Sequence, residues 1–249
     1  MYNIPITNLD PGPDGRLGTA DDTGKSFTYY EYPTSVAGRS FAGTMLINDP
    51  LSDQSFKTFE VSGTRRLAQG WQFSASYSAT KFHVPFTCAD AANPNAVTRG
   101  CAVNPNAEIF SANNTWEWSG KISGAYTLPY GIIASANYDH RSGAPQARQV
   151  LFTGGQTIRS LLVNVEPVGT IRLPSTNLVD IRTAKHFALG SGRSMEVRVD
   201  VFNLLNVNTV IRRVLQSGST YLLPFTAGAN ATTSIILPRI VQVGASFTF

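Results

Sequence analysis

The chain has 249 residues, of which 42% are apolar, enough for one large domain or two small ones. Only 14% are Asp, Glu, Lys or Arg, against about 25% in typical soluble proteins, and the net charge of +4 is not gathered into any Lys/Arg run, so nucleic acid is not an expected partner. No segment approaches the roughly 18 consecutive apolar residues that a membrane-crossing helix requires.

Met1-Tyr-Asn-Ile-Pro-Ile6 has neither a basic n-region nor an apolar h-region. An outer-membrane reading therefore carries the expectation that the chain is the C-terminal piece of a longer precursor. Residues 1–54 read as a loop region that opens with Asp10-Pro-Gly-Pro-Asp-Gly-Arg-Leu-Gly-Thr-Ala-Asp-Asp22. Hard Ca²⁺ takes several oxygens on a flexible loop, which makes Asp10, Asp14, Asp21 and Asp22 a candidate calcium site, against the plainer reading of a solvated turn. Ser26 to Tyr32 reads as a strand.

From residue 55 the side chains alternate with period two. Phe56 to Leu67 sets Phe59, Val61, Gly63 and Leu67 against Thr58, Glu60, Ser62, Thr64 and Arg66. Ala68-Gln-Gly70 then predicts a tight hairpin into Trp71–Phe82, where Trp71, Phe73, Ala75, Tyr77 and Ala79 oppose Gln72, Ser74, Ser76, Ser78 and Thr80. Trp116 to Leu128 and Ile132 to Arg141 form a second predicted hairpin through Pro129-Tyr-Gly131. Asn177 to Ala188 and Ser194 to Leu205 form a third, across Gly190-Ser-Gly-Arg193. The last strand, Pro238 to Phe249, puts Val241, Val243, Ala245, Phe247 and Phe249 on one face.

Between the hairpins lie long stretches, 83–112, about 142–175 and 206–237, rich in Gly, Asn, Pro, Ser and Thr. Short turns on one rim and long loops on the other are the pattern of an outer-membrane β-barrel. The fold class expected is thus all-β, an antiparallel meander of about seven or eight long transmembrane strands, with Ser26–Tyr32 the eighth, open or incomplete as a lone chain. Trp71, Trp116, Trp118, Tyr126 and Tyr138 stand near strand ends, where aromatic rings settle at headgroup depth. The face opposite the apolar one is mostly Ser, Thr, Gln and Asn with sparse mixed charge, unlike the Lys- and Glu-rich exterior of a soluble β-sandwich. A β-sandwich interaction module stays as one alternative. A complete small barrel of about eight strands, adhesive or porin-like, in which Ser26–Tyr32 pairs with the terminal strand, is another.

Cys88 and Cys101 share the loop 83–112 and are expected to form a disulfide outside the cytoplasm. His83, His140 and His186 are scattered, and no Gly-x-Ser-x-Gly elbow, His-Glu-x-x-His or phosphate-cradling Gly loop occurs, so an enzyme is not expected. Ser142 beside His140 is the nearest thing to a catalytic pair.

Several segments in order resemble the C-terminal barrel of TonB-dependent receptors, in particular the Oar-like group with an N-terminal carboxypeptidase-regulatory-like domain. They are Ser55–Leu67 followed by Gly70–Tyr77; Arg141-Ser-Gly-Ala-Pro145; Asn164-Val-Glu-Pro167; Leu178-Val-Asp-Ile-Arg182; Val199-Asp-Val-Phe-Asn-Leu-Leu-Asn206; and Leu237-Pro-Arg239 before the last strand. The resemblance covers nearly the whole chain. It implies a barrel of roughly 22 strands around an N-terminal plug, placed in the bacterial cell outer membrane and in contact with its lipid. It also implies energy-coupled uptake of a large extracellular solute driven by TonB, ExbB and ExbD through an N-terminal part outside this sequence, which lacks a TonB box, plug and regulatory-like domain. No cofactor is implied beyond the candidate Ca²⁺. The terminal aromatic strand, with Phe247 and Phe249, resembles the signal read by the barrel-assembly machinery.

Overall fold

The computed structural model describes residues 3–37, 53–85, 88–90, 93–98, 106, 109–225 and 234–249. In chain order the strands are β1 (Ile4–Leu9), β2 (Ser26–Glu31), β3 (Ser55–Ala68), β4 (Trp71–His83), β5 (Cys88–Asp90), β6 (Asn93–Thr98), β7 (Trp116–Leu128), β8 (Ile132–Arg141), β9 (Pro145–Gln146), β10 (Gln149–Thr153), β11 (Ser160–Asn164), β12 (Ile171–Arg172), β13 (Thr176–Gly190), β14 (Arg193–Phe202) and β15 (Ile240–Thr248). Among the described residues there is no α-helix.

Seven long strands make one antiparallel sheet in the order β15-β14-β13-β8-β7-β4-β3. Its register carries the sequence alternation across the whole width, with shifts beside two tight turns, between Arg65 and Ala68 and between Ala188 and Gly190. Val61 faces Tyr77, Tyr77 faces Gly120, Ile122 faces Tyr138, Tyr138 faces Val179, Ile181 faces Val201, and Val201 faces Val241. Directly paired residues point to the same side of a sheet, so the apolar sets of all seven strands fall on one face. The other face carries Glu60, Ser78, Ser119, Asn137, Asp180, Asp200 and Gln242. Phe59, Val61, Ile122, Tyr126, Val241, Val243 and Phe247 are all exposed.

The sheet is not closed: β3 and β15 are its two edges. Because seven antiparallel strands separate them inclusively, both edges run in the same direction. Rolling the sheet onto itself would therefore bring them together parallel, and antiparallel closure needs an odd number of further strands.

The tight connections sit at one end. Gln69 and Gly70, Tyr130 and Gly131, and Ser191 and Gly192 all take positive φ, so each hairpin reverses within two or three residues. At the opposite end the described parts of the long connections and of the N-terminal segment form a cap. Here β1 pairs with β2, β10 with β11, β9 with β12 and β5 with β6. The buried apolar cluster lies in this cap, not in the sheet: Phe27, Tyr29, Val150, Val163 and Val165, flanked by Ile6, Ile109, Phe152 and Leu161.

One expectation needs correction. Ser26–Glu31 is a strand, but it is not an eighth member of the meander and does not pair with the terminal strand; it pairs with Ile4–Leu9, from Ile4 opposite Glu31 to Leu9 opposite Ser26. The cause is burial. Phe27, Tyr29 and Glu31 point into the cap, and Tyr29 packs on Phe152 with ring centroids 4.7 Å apart. Strand ends also moved. β14 stops at Phe202, because Asn203 turns at φ 50°, and β15 begins at Ile240.

Candidate functional site

Two places gather polar side chains: the heart of the cap, and the polar face of the sheet beneath it. The cap is organised around Arg148, which is 1% exposed. Its Nη1 donates to Asp10 Oδ1 (2.8 Å) and to Ser217 Oγ (3.1 Å), its Nε to Glu166 Oε1 (3.0 Å), and its Nη2 to Asp10 Oδ2. Asp10 is 3% exposed and also accepts from Gly12 N–H (3.1 Å) and Thr23 Oγ1 (3.0 Å). Burial by itself would raise the Asp10 carboxyl, but Arg148 and these two donors outweigh it and hold the group below the usual carboxylate range. For Arg148, burial opposes the charge and the two carboxylates more than restore it, so its pKa is raised.

This one guanidinium joins three loops distant in sequence: the N-terminal hairpin through Asp10, the 142–175 segment through Glu166, and the 203–239 segment through Ser217. Backbone bonds reinforce it, with Gly218 N–H on Pro13 O (2.9 Å) and Gln149 N–H on Leu215 O (2.9 Å). Asn106 closes the open side of β2, accepting from Tyr30 N–H (2.7 Å) and donating to Tyr30 O (2.8 Å). Glu31 accepts from the backbone N–H groups of Gln156 (3.2 Å) and Thr157 (3.3 Å).

Below the cap a cleft of about 530 Å³ opens on the polar face. Asn137, Asp139, Arg141 and Asp180 come from the sheet, while Leu173 and Ile236 of the cap form its apolar roof. Arg141 Nε donates to Asp139 Oδ1 (2.9 Å), and Lys121 lies 3.9 Å from Asp139. A second cluster joins Arg182 and Arg198 to the buried Asp200. Asp139 is paired with Lys121 and Arg141 and Asp180 accepts from Asn203 N–H, so the cleft sets charged and amide hydrogen-bonding groups beside an apolar wall.

Of the motifs that carried the resemblance, those of β13, the β14 end and the entry to β15 lie together at the junction of sheet and cap, while Ser55–Leu67 and Gly70–Tyr77 belong to β3, β4 and their turn. Arg182 pairs with Asp200 because Arg182 sits opposite Asp200 in register. Asp180 Oδ1 accepts from Asn203 N–H (2.8 Å); the Asn203 amide donates to Val207 O (2.9 Å) and Leu237 O (2.8 Å), and Asn206 Oδ1 accepts from Arg239 N–H (2.9 Å). These residues brace β13, β14 and the entry to β15.

The four candidate calcium ligands have other partners. Asp10 belongs to Arg148. Asp14 Oδ1 accepts from Arg16 N–H (2.8 Å), Asp21 Oδ2 from Asp14 N–H (2.8 Å) and Oδ1 from the Thr19 hydroxyl (2.7 Å), and Asp22 Oδ2 from Gly18 N–H (2.7 Å). Among the described residues no three His, Cys, Asp or Glu side chains are grouped so as to hold a metal ion. Of the expected disulfide, Cys88 opens β5 and Cys101 lies outside the described residues.

Ser142 and His140 are not brought together as a catalytic pair. Ser142 Oγ accepts from Trp118 N–H (3.0 Å). Trp118 Nε1–H donates to His140 Nε2 (3.2 Å), which leaves the ring proton on Nδ1 for Asn177 Oδ1 (2.8 Å). Phe247 stands opposite Met195 on the apolar face, and Phe249 follows the last strand, almost wholly exposed.

Arg148 was not singled out in the sequence, because its partners lie far from it along the chain; a lone Arg in a stretch of low charge was the only available signal. Comparison with known protein families, with curated proteins and with solved structures finds no match to this chain.

Proposed function

We propose that the chain is a C-terminal wall segment of an outer-membrane TonB-dependent receptor, which takes up a large extracellular solute by energy-coupled transport. The observation that carries this reading is the single apolar face, seven strands wide, with its folded cap at the long-loop end only. A soluble sandwich would cover such a face with a second layer.

Dimensions agree. Trp71 pairs with Tyr126 near the tight turns and Lys81 with Trp116 near the cap, and the ten residue steps from 71 to 81 span about 33 Å along the strand, or about 25 Å of height at a tilt near 40°. That is the apolar band of an outer-membrane barrel. Strand parity agrees as well: a closed antiparallel wall of roughly 22 strands needs an odd number beyond these seven. In this reading the tight turns face the periplasm, the cap faces outward, and the cleft at Asp139 and Arg141 lies on the lumen side where an entering solute passes. The chain acts by binding and guiding, without catalysis. Partners are outer-membrane lipid, the assembly machinery reading the Phe249 end, and TonB–ExbB–ExbD reached through the receptor's N-terminal part.

The test is deletion of the gene in its host, followed by uptake of siderophore, cobalamin, glycan and peptide panels with and without a protonophore. Loss of one protonophore-sensitive uptake supports the reading. Unchanged uptake of every class, with the protein found in a soluble fraction, overturns it.

A further inference from the structure

We infer that the apolar face holds a bound anionic phospholipid, its acyl chain in a furrow on β7, β8 and β13 and its phosphate on Lys185. This rests on the wall reading above. The furrow is a shallow, open depression of about 750 Å³, lined almost wholly by apolar surface. Gly124, Ala134 and Ala136 make its floor, because three small residues meet there in register: Gly124 lies opposite Ala136, and Tyr126 opposite Ala134. Trp71 and Tyr126 rim the end toward the tight turns, and Tyr138 and Ile181 stand above. Larger side chains surround a strip that cannot fill itself, and a flexible hydrocarbon chain is the shape that can.

Lys185 supplies the second, independent observation. It lies on the same face, opposite Ile132 and Val197, two residues beyond Thr183 of the furrow lining. Four cations of the sheet sit on the polar face with carboxylates, Lys121 and Arg141 with Asp139 and Arg182 and Arg198 with Asp200, while Arg65 and Lys81 share the apolar face and lie over the Trp71 and Trp116 rings. Lys185 has no carboxylate within salt-bridge distance among the described residues; its Nζ lies 5.1 Å from the Phe187 ring centroid. A cation on an apolar face, one same-face row nearer the tight turns than the furrow-lining row Trp71–Tyr126–Ala134–Thr183, has an amphiphile's phosphate as its natural counter-charge. The tight-turn rim places it at the periplasmic leaflet, which selects a two-chain phospholipid over a larger multi-acyl glycolipid.

The test uses the full chain reconstituted in vesicles of phosphatidylcholine containing phosphatidylglycerol, then extracted in mild detergent and weighed by native mass spectrometry for retained lipid. Carbonate-resistant association with the vesicles is scored in parallel. Phosphatidylglycerol should be retained in preference to phosphatidylcholine, Lys185→Gln should lower its retention about five-fold, and Ala136→Leu, which fills the furrow, should lower it at least as much. Lys121→Gln, on the polar face, should leave it unchanged. Equal retention in wild type, K185Q and A136L, in protein that still enters the bilayer, overturns the site while leaving the wall reading intact. Equal loss in K185Q and K121Q marks unspecific charge attraction and also overturns it. Protein that stays outside the bilayer overturns both.

Discussion

Replacing Asp10 with Ala strands the most deeply buried charge among the described residues. Arg148 is 1% exposed and makes four hydrogen bonds to side chains, two of them to Asp10. Removing one partner of a buried pair costs about 3–5 kcal/mol, since the remaining charge stays desolvated. Glu166 retains its bond to Arg148 and is itself 26% exposed, so the lower end, about 3 kcal/mol, is expected here. If the loss is local to the cap, opening of the N-terminal hairpin becomes about 100-fold more frequent. Amide hydrogen exchange at Phe27 to Glu31 reads this directly, against the amides of β7 and β8 as an internal reference. Arg148→Met combined with Asp10→Ala should recover a good part of the loss, because the charge then left without its partner, Glu166, is 26% exposed and can be hydrated. Unchanged exchange at Phe27–Glu31 in D10A, or a double variant as damaged as the sum of the two single ones, would refute the view that this pair fastens the cap.

Acid should loosen the same clamp. The Asp10 carboxyl is depressed in the folded state, so its contribution is fully present above the ordinary carboxylate pKa of 3.8 and is lost as pH falls through the lower folded value. Exchange at β2 should stay flat from pH 7 to about 4 and rise below it, a profile that D10A should lack. On the sheet, Val243→Arg should weaken membrane integration by about 2–4 kcal/mol, while Gln242→Arg, one residue away on the polar face, should be tolerated; urea titration in vesicles separates them. Arg182→Ala removes the cation beside Asp200, which is buried. With Arg182 itself half exposed and Arg198 still beside Asp200, a small drop in the urea midpoint is expected in the same titration. Asn203→Ala should cost about 2–3 kcal/mol, because it removes three side-chain bonds and the replacement must hold φ at 50°.

The sheet was legible in the sequence because period-two alternation survives in seven strands, and tight turns at Gln69–Gly70, Pro129–Gly131 and Ser191–Gly192 fix the register between hairpin partners. What alternation cannot carry is contact between loops. Asp10 reads as one of four acidic loop residues, and nothing near it announces an Arg 138 positions away. Ile4–Leu9 escaped notice because Pro5 and Asn8 argue against a strand, although Pro is acceptable on an edge such as β1. Without that partner, Ser26–Tyr32 reads as a member of the meander, where its alternation fits equally well. Asp180, Arg182, Asp200 and Asn203 were visible as motif residues, but their mutual bonds depend on the β13–β14 register, which only the folded sheet displays.

The central claim is that one face of this sheet meets lipid. Single cysteines at positions 241 to 247 of β15, in a background with Cys88 and Cys101 changed to Ser, can carry a fluorophore read by lipid-borne and water-borne quenchers in vesicles. The account predicts strict alternation: positions 241, 243, 245 and 247 quenched from the lipid, and 242, 244 and 246 from water, with the deepest lipid quenching at Val243. Uniform aqueous quenching along the strand, or alternation with the opposite phase, would contradict it.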